Sequence, residues 1–148
     1  MRYCQAQALI HVLINNPEFK SFNQDKRDLA CNEILEDVCG QMMKDIVLLE
    51  TVRSLSKKRS DFKLTLAQSE FDMVIYTSVE NTCAAFEVTH SAEIVPHQYH
   101  ILEDEELCQA VEQQYGTITR KRVLYGGESC TFDNGIKCLI AKEYLKSL

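Results

Sequence analysis

The segments Phe71-Asp72-Met73-Val74-Ile75-Tyr76 and Ala84-Ala85-Phe86-Glu87-Val88-Thr89 decide how this chain folds, because each is an apolar run of strand length with one acid set inside it. A hairpin whose turn centres on Val79-Glu80 makes opposed residue numbers sum to 159, so Asp72 faces Glu87 across the strand pair. The opposite face then carries Phe71, Met73 and Ile75 against Val88, Phe86 and Ala84, an apolar surface suited to packing under helices. Two carboxylates held close together repel unless a proton, a cation or a basic side chain intervenes. A divalent metal is one such relief, which makes Asp72 and Glu87 candidate ligands for Mg or Mn and candidate catalytic acids.

Upstream of the pair, Phe62 to Leu66 alternates as a strand and completes a three-strand meander. Before it, Cys31, Ile34, Leu35, Val38, Met42, Ile46 and Leu49 trace one face of a long helix that Ser21 and Gln24 open with a capping box; this stripe is expected to be core. Gly40 interrupts it and marks a place for a kink or a break into two helices. A short first helix, Tyr3 to Ile14, stops at Asn15-Asn16-Pro17.

Downstream, the acids 103–106 collect where a helix begins, and Tyr115-Gly116 ends it. Ile118 to Tyr125 gives a fourth strand that reaches the Gly126-Gly127 break. Asp133-Asn134-Gly135 turns into a short strand, Ile136 to Ile140, and Glu143 to Leu148 closes as a helical turn or two. The predicted fold class is α/β, a mixed sheet of about four to five strands flanked by helices. A single domain is expected over 1–148, with a helix and linker in 1–20 and the core in 21–148.

Composition agrees with one compact domain, since 45% of the 148 residues are hydrophobic and 26% are charged. The formal net charge of −6 disfavours indiscriminate nucleic-acid binding and leaves only local basic patches for phosphates. Lys57-Lys58-Arg59 reads as a solvated loop, whereas Arg120, Lys121 and Arg122 enter a strand at one rim and are candidate nucleic-acid contacts. The seven cysteines are an odd, scattered set without a secretory leader, which predicts reduced thiols in a cytoplasmic protein; Cys31, Cys83 and Cys138 read as small core residues, and none as a nucleophile. No CxxC pair, HExxH helix, GxxxxGK[ST] loop or membrane-length apolar run occurs, which argues against structural zinc, a zincin site, a P-loop and a membrane partner. His97 and His100 read as parts of a polar loop after Pro96, and His90, one residue beyond Thr89, points away from Glu87 by strand alternation.

Helix, three-strand meander, helix, strand is the core order of the restriction-endonuclease-like fold, and an acid in one strand followed by Glu-x-Lys in the next resembles its PD-(D/E)xK site. Here fourteen residues separate Asp72 from Glu87-Val88-Thr89, and Thr89 stands where that motif has its lysine. A resemblance over most of the chain is carried by Gly40-Gln41-Met42-Met43, Glu70-Phe71-Asp72-Met73-Val74 and Phe86-Glu87-Val88-Thr89-His90-Ser91. These segments look like the uncharacterised nuclease-like domain at the C-terminus of many prokaryotic AAA-family ATPases. The resemblance implies an AAA-family ATPase module as partner, in cis or in trans, and nucleic acid as the substrate of any surviving chemistry.

In the nuclease mechanism that the resemblance implies, two acids hold a divalent metal that activates water, while the lysine positions or polarises the nucleophile. Thr89 supplies no positive charge. Where many members carry a helix glutamate four residues after the glycine, this chain has Lys44, which either replaces the lost lysine as a catalytic group or pairs with the acids in the metal's place. The salt bridge is the preferred expectation, because a migrated catalytic lysine has to meet strict geometry. The resulting expectation is a PD-(D/E)xK-like recognition or regulatory domain with lost or weakened catalysis. Its alternatives are an active Mg- or Mn-dependent DNA phosphodiesterase using Asp72, Glu87 and Lys44, and a metal-free protein-interaction domain.

Overall fold

The computed structural model describes residues 2–57, 62–65, 71–77, 79–93 and 96–148. The chain divides into two compact units, residues 1–42 and 43–148. In the first, α1 (Arg2–Asn15) and α2 (Pro17–Ser21) are separated by Asn16, whose side chain accepts hydrogen bonds from the N–H groups of Glu18 and Phe19. Pro17 suits the first helical position, where its missing N–H costs nothing. The long helix α3 (Gln24–Lys57) starts with the Asn23 side chain capping the N–H of Lys26, so Asn23, and not the expected Ser21, does the capping. The Ser21 hydroxyl instead donates to the Glu18 carbonyl within α2. No break occurs at Gly40, which α3 carries as one helical residue.

The second unit is built on a mixed six-stranded sheet of order β1-β2-β3-β4-β6-β5. Its strands are β1 (Phe62–Thr65), β2 (Met73–Thr77), β3 (Thr82–Val88), β4 (Thr117–Tyr125), β5 (Cys130–Thr131) and β6 (Lys137–Ile140). The first three form the antiparallel meander; β3-β4 and β4-β6 run parallel, and the two-residue β5, which the sequence does not announce, closes the edge. In the β2-β3 pair Met73 opposes Phe86 and Val74 opposes Ala85, the register in which residue numbers sum to 159. The parallel connection from β3 to β4 runs through α4 (Pro96–Glu103) and α5 (Glu105–Tyr115). The helix α4 stands where His97 and His100 were expected in a loop. Pro96 fits its first turn, and His100 lies 3.5 Å from Glu103 in its last turn.

Strand alternation splits the core into two layers. Val74, Cys83, Ala85, Val123 and Cys138 pack with Leu102 and Val111 of α4 and α5. Met73, Phe86, Val88 and Leu124 pack with Val47 of α3 and with Ala141 and Tyr144 of α6 (Ala141–Ser147). Phe71 departs from the expected pattern: it lies in the α4-α5 layer, because β2 starts only at Met73 and the bend at Asp72 turns the preceding residue to the other side.

The expected core stripe of α3 is also corrected. Ile46 and Leu49 are 48% and 65% exposed, whereas Val47, Thr51 and Ser54 form the buried face. Hydrogen bonds hold that face in place: Thr51 shares one with the Tyr144 hydroxyl, and Ser54 donates to the Leu148 carbonyl. The polar atoms that enter the core are therefore satisfied by Val47, Tyr144 and Leu148, which the apolar spacing of α3 alone does not reveal. Cys83 and Cys138 are buried as expected, Cys31 is half-buried, and Cys108 is buried too. No helix of the described residues is long and apolar enough to cross a membrane.

Gly116 is required by a close approach. Its φ is +87°, and a Cβ there would lie 2.1 Å from the Asn81 carbonyl oxygen, which accepts the Thr117 N–H as β4 begins beside β3.

Candidate functional site

Asp72 and Glu87 meet at one end of the β2-β3 pair, one residue beyond the Met73-Phe86 pairing that ends the ladder. Each carboxylate is tied to the other's strand. The Asp72 N–H donates to Glu87 Oε1 at 3.1 Å, and the Val88 N–H donates to Asp72 Oδ2 at 2.9 Å. The end of β2 thus takes its ladder hydrogen bonds from side chains, because the bend at Asp72 withdraws the backbone. Lys44, reaching from α3, completes the cluster with its Nζ 2.6 Å from Asp72 Oδ1.

Burial sets the charge state. Glu87 is only 4% exposed, and its carboxyl is pushed up to about 8 by desolvation first and by the neighbouring Asp72 carboxylate second. The Asp72 N–H and the Lys44 ammonium oppose the rise without cancelling it. At neutral pH Glu87 is therefore mainly a neutral acid that hydrogen-bonds to Asp72, and Lys44 answers the remaining negative charge. The repulsion anticipated between two carboxylates is relieved by a proton and an ammonium.

This donor set does not fit a divalent metal. Mg and Mn are held by ionised oxygens with free lone-pair directions, yet Lys44 Nζ and the Val88 N–H already occupy the two Asp72 oxygens and the Asp72 N–H occupies Glu87 Oε1. Among the described residues, no group of three or more His, Cys, Asp or Glu side chains is arranged to hold an ion. Thr89 does not supply a substitute cation. It is buried, its N–H donates to the Leu124 carbonyl, and its hydroxyl accepts the Ser91 N–H to shape the turn after β3.

The structure brings Asp72, Glu87 and Lys44 together and separates the basic triplet from them. Arg120 and Arg122 stand on β4 opposite Ala84 and Phe86, while Lys121 is opposite Ala85 and so belongs to the other face. Of the first basic run, Lys58 and Arg59 lie outside the described residues, as do Leu66 of the expected first strand and Glu70 of the second resembling segment. Two features escaped the sequence reading. One is the neutral state of Glu87, signalled only by the apolar residues on either side of it. The other is the Tyr144-Thr51 hydrogen bond, for which the sequence holds no local signal.

Comparison of the chain with family models, with curated proteins and with solved structures finds no match.

Proposed function

We propose that this chain is a PD-(D/E)xK-like domain that no longer cuts nucleic acid and acts as a recognition or regulatory module of an AAA-family ATPase. The observation that carries the reading is the contact of Lys44 Nζ with Asp72 Oδ1 at 2.6 Å, beside a Glu87 that burial keeps neutral. A lysine seated on the first acid uses the oxygen that a metal requires, and a protonated second acid has no charge to offer it. What remains is a polar clasp that locks the start of β2 to the end of β3.

Titration of the folded chain with Mn²⁺ by calorimetry, alongside Asp72→Ala, tests this. The expected result is no saturable binding by either protein. Saturable binding by the wild type that disappears in Asp72→Ala would overturn the reading in favour of a metal-dependent phosphodiesterase with Lys44 as its lysine. The ATPase association rests on the resemblance in residues 40–43, 70–74 and 86–91. A changed rate of ATP hydrolysis by a purified AAA module on adding the chain is its check.

A further inference from the structure

At the far end of the same two strands lies a pocket of about 490 Å³, on the face covered by α3 and α6. Arg120 and Arg122 line it together with Thr77, Thr82 and Phe86. A register shift between Cys83 and Ala84 inserts Thr119 as an extra residue in β4 and leaves Arg120 and Arg122 alternating onto this one face. Two like charges are thereby set side by side, since Arg120 acts on Arg122 as a repelling neighbour.

Arg122 is the anomalous group. Its Nε is buried and has no hydrogen-bond partner, while its guanidinium carbon sits 5.8 Å from the centroid of the Phe86 ring. Folded proteins satisfy nearly all their buried polar atoms, and a guanidinium with an unused donor is a costly exception. Burial pushes the Arg122 guanidinium below its usual range, so the protein holds this cation against its own electrostatic preference. Among the described residues that line it, the one acidic side chain, Glu80, belongs to the exposed turn between β2 and β3.

We propose that this pocket binds the terminal phosphate of a small phosphorylated ligand. A guanidinium pairs its N–H groups with phosphate oxygens in a planar fork, and a second arginine adds charge. The volume falls within the range of small-molecule sites, and the Phe86 wall offers an apolar surface to the organic part. The acid pair plays no part in this site, so the proposal stands apart from the reading of Asp72 and Glu87. A free mononucleotide and the 5′-phosphate end of a nucleic acid share this chemistry.

The test is calorimetric titration of the full chain with inorganic phosphate, AMP and adenosine, and with an oligonucleotide carrying either a 5′-phosphate or a 5′-hydroxyl. Saturable binding of a phosphorylated probe and none of its unphosphorylated counterpart is the expected result. Preference for AMP identifies a free nucleotide as the source, and preference for the 5′-phosphorylated oligonucleotide identifies a strand end. Arg120→Ala, at an exposed position, and Arg122→Lys, which keeps the charge and loses the fork, should each weaken binding by roughly tenfold or more. The proposal is overturned if the folded chain binds none of the phosphorylated probes at millimolar concentration. Equal binding of adenosine and AMP, or unchanged affinity in both variants, overturns it as well.

Discussion

The two ends of the β2-β3 pair treat charge in opposite ways. At the Asp72 end every charge has an internal answer: Lys44 on one oxygen, the Val88 N–H on the other, and a proton on Glu87. At the Arg120 end two cations stand together and a buried Nε has no acceptor. Internally satisfied polar groups hold a structure together, whereas unsatisfied ones are retained against a stability cost. The acid pair thus reads as architecture, and the arginines that the sequence offers as phosphate contacts read as the proposed ligand site.

The largest effect that would sharpen this contrast is expected from Asp72→Ala. It leaves Lys44 and the Val88 N–H without their acceptor, and should destabilise the fold by roughly 2–4 kcal/mol in urea unfolding. A loss near zero would break the view that the acid end is structural. Next is the pH dependence of Glu87. Its folded-state value of about 8 exceeds the ordinary 4.5, so the folded state holds a proton that the unfolded chain releases. This contribution to stability is fully present below the ordinary value and is lost as pH rises toward about 8, at up to about 1.4 kcal/mol per pH unit. Glu87→Gln, which cannot ionise, should remove that slope, and parallel stability-pH curves for the two proteins would contradict a neutral Glu87.

Lys44→Met should cost less, about 1–2 kcal/mol, because the lysine side chain is one-third exposed and water screens part of the interaction. It should also raise the Glu87 titration further, which carboxyl NMR shifts would report, since the Lys44 charge opposes protonation of that acid. The smallest effect, and one of opposite sign, is expected from Arg122→Met. The methionine keeps the packing beside Phe86 and removes the unanswered donor, so stability should hold or rise by up to about 1 kcal/mol. A clear loss would mean that Arg122 stabilises the fold itself and would erase the contrast between the two ends.

The hairpin register was legible because alternation of apolar residues is a local property. A slip of one position would have put Met73 on the face of Glu87 and Phe86 on the face of Asp72. The nearness of Lys44 to the acids followed from motif position, and the strands β3, β4 and β6 followed from their apolar runs and turn residues. Three readings failed for want of local signal. The stripe from Cys31 to Leu49 has helical spacing, but the side of α3 that is buried is the one that hydrogen-bonds Tyr144 of α6 through Thr51 and the Leu148 carbonyl through Ser54. Phe71 was assigned by alternation across a bend that ends the strand. The helix α4 lacks an apolar period strong enough to outweigh its histidines and glutamine.

From the sequence by itself came the α/β class, the antiparallel pairing of the two acid-bearing segments and the facing of Asp72 by Glu87. The last two depend on patterns within about twenty residues of chain, and the class on the order of helical and strand-like segments along it. Tertiary structure alone decided that burial adds a proton to the Lys44 salt bridge expected at the acids, and that a register shift brings Arg120 and Arg122 into one pocket. These outcomes depend on groups remote in sequence, and on a degree of desolvation that exists only once the helices and the sheet have closed around them.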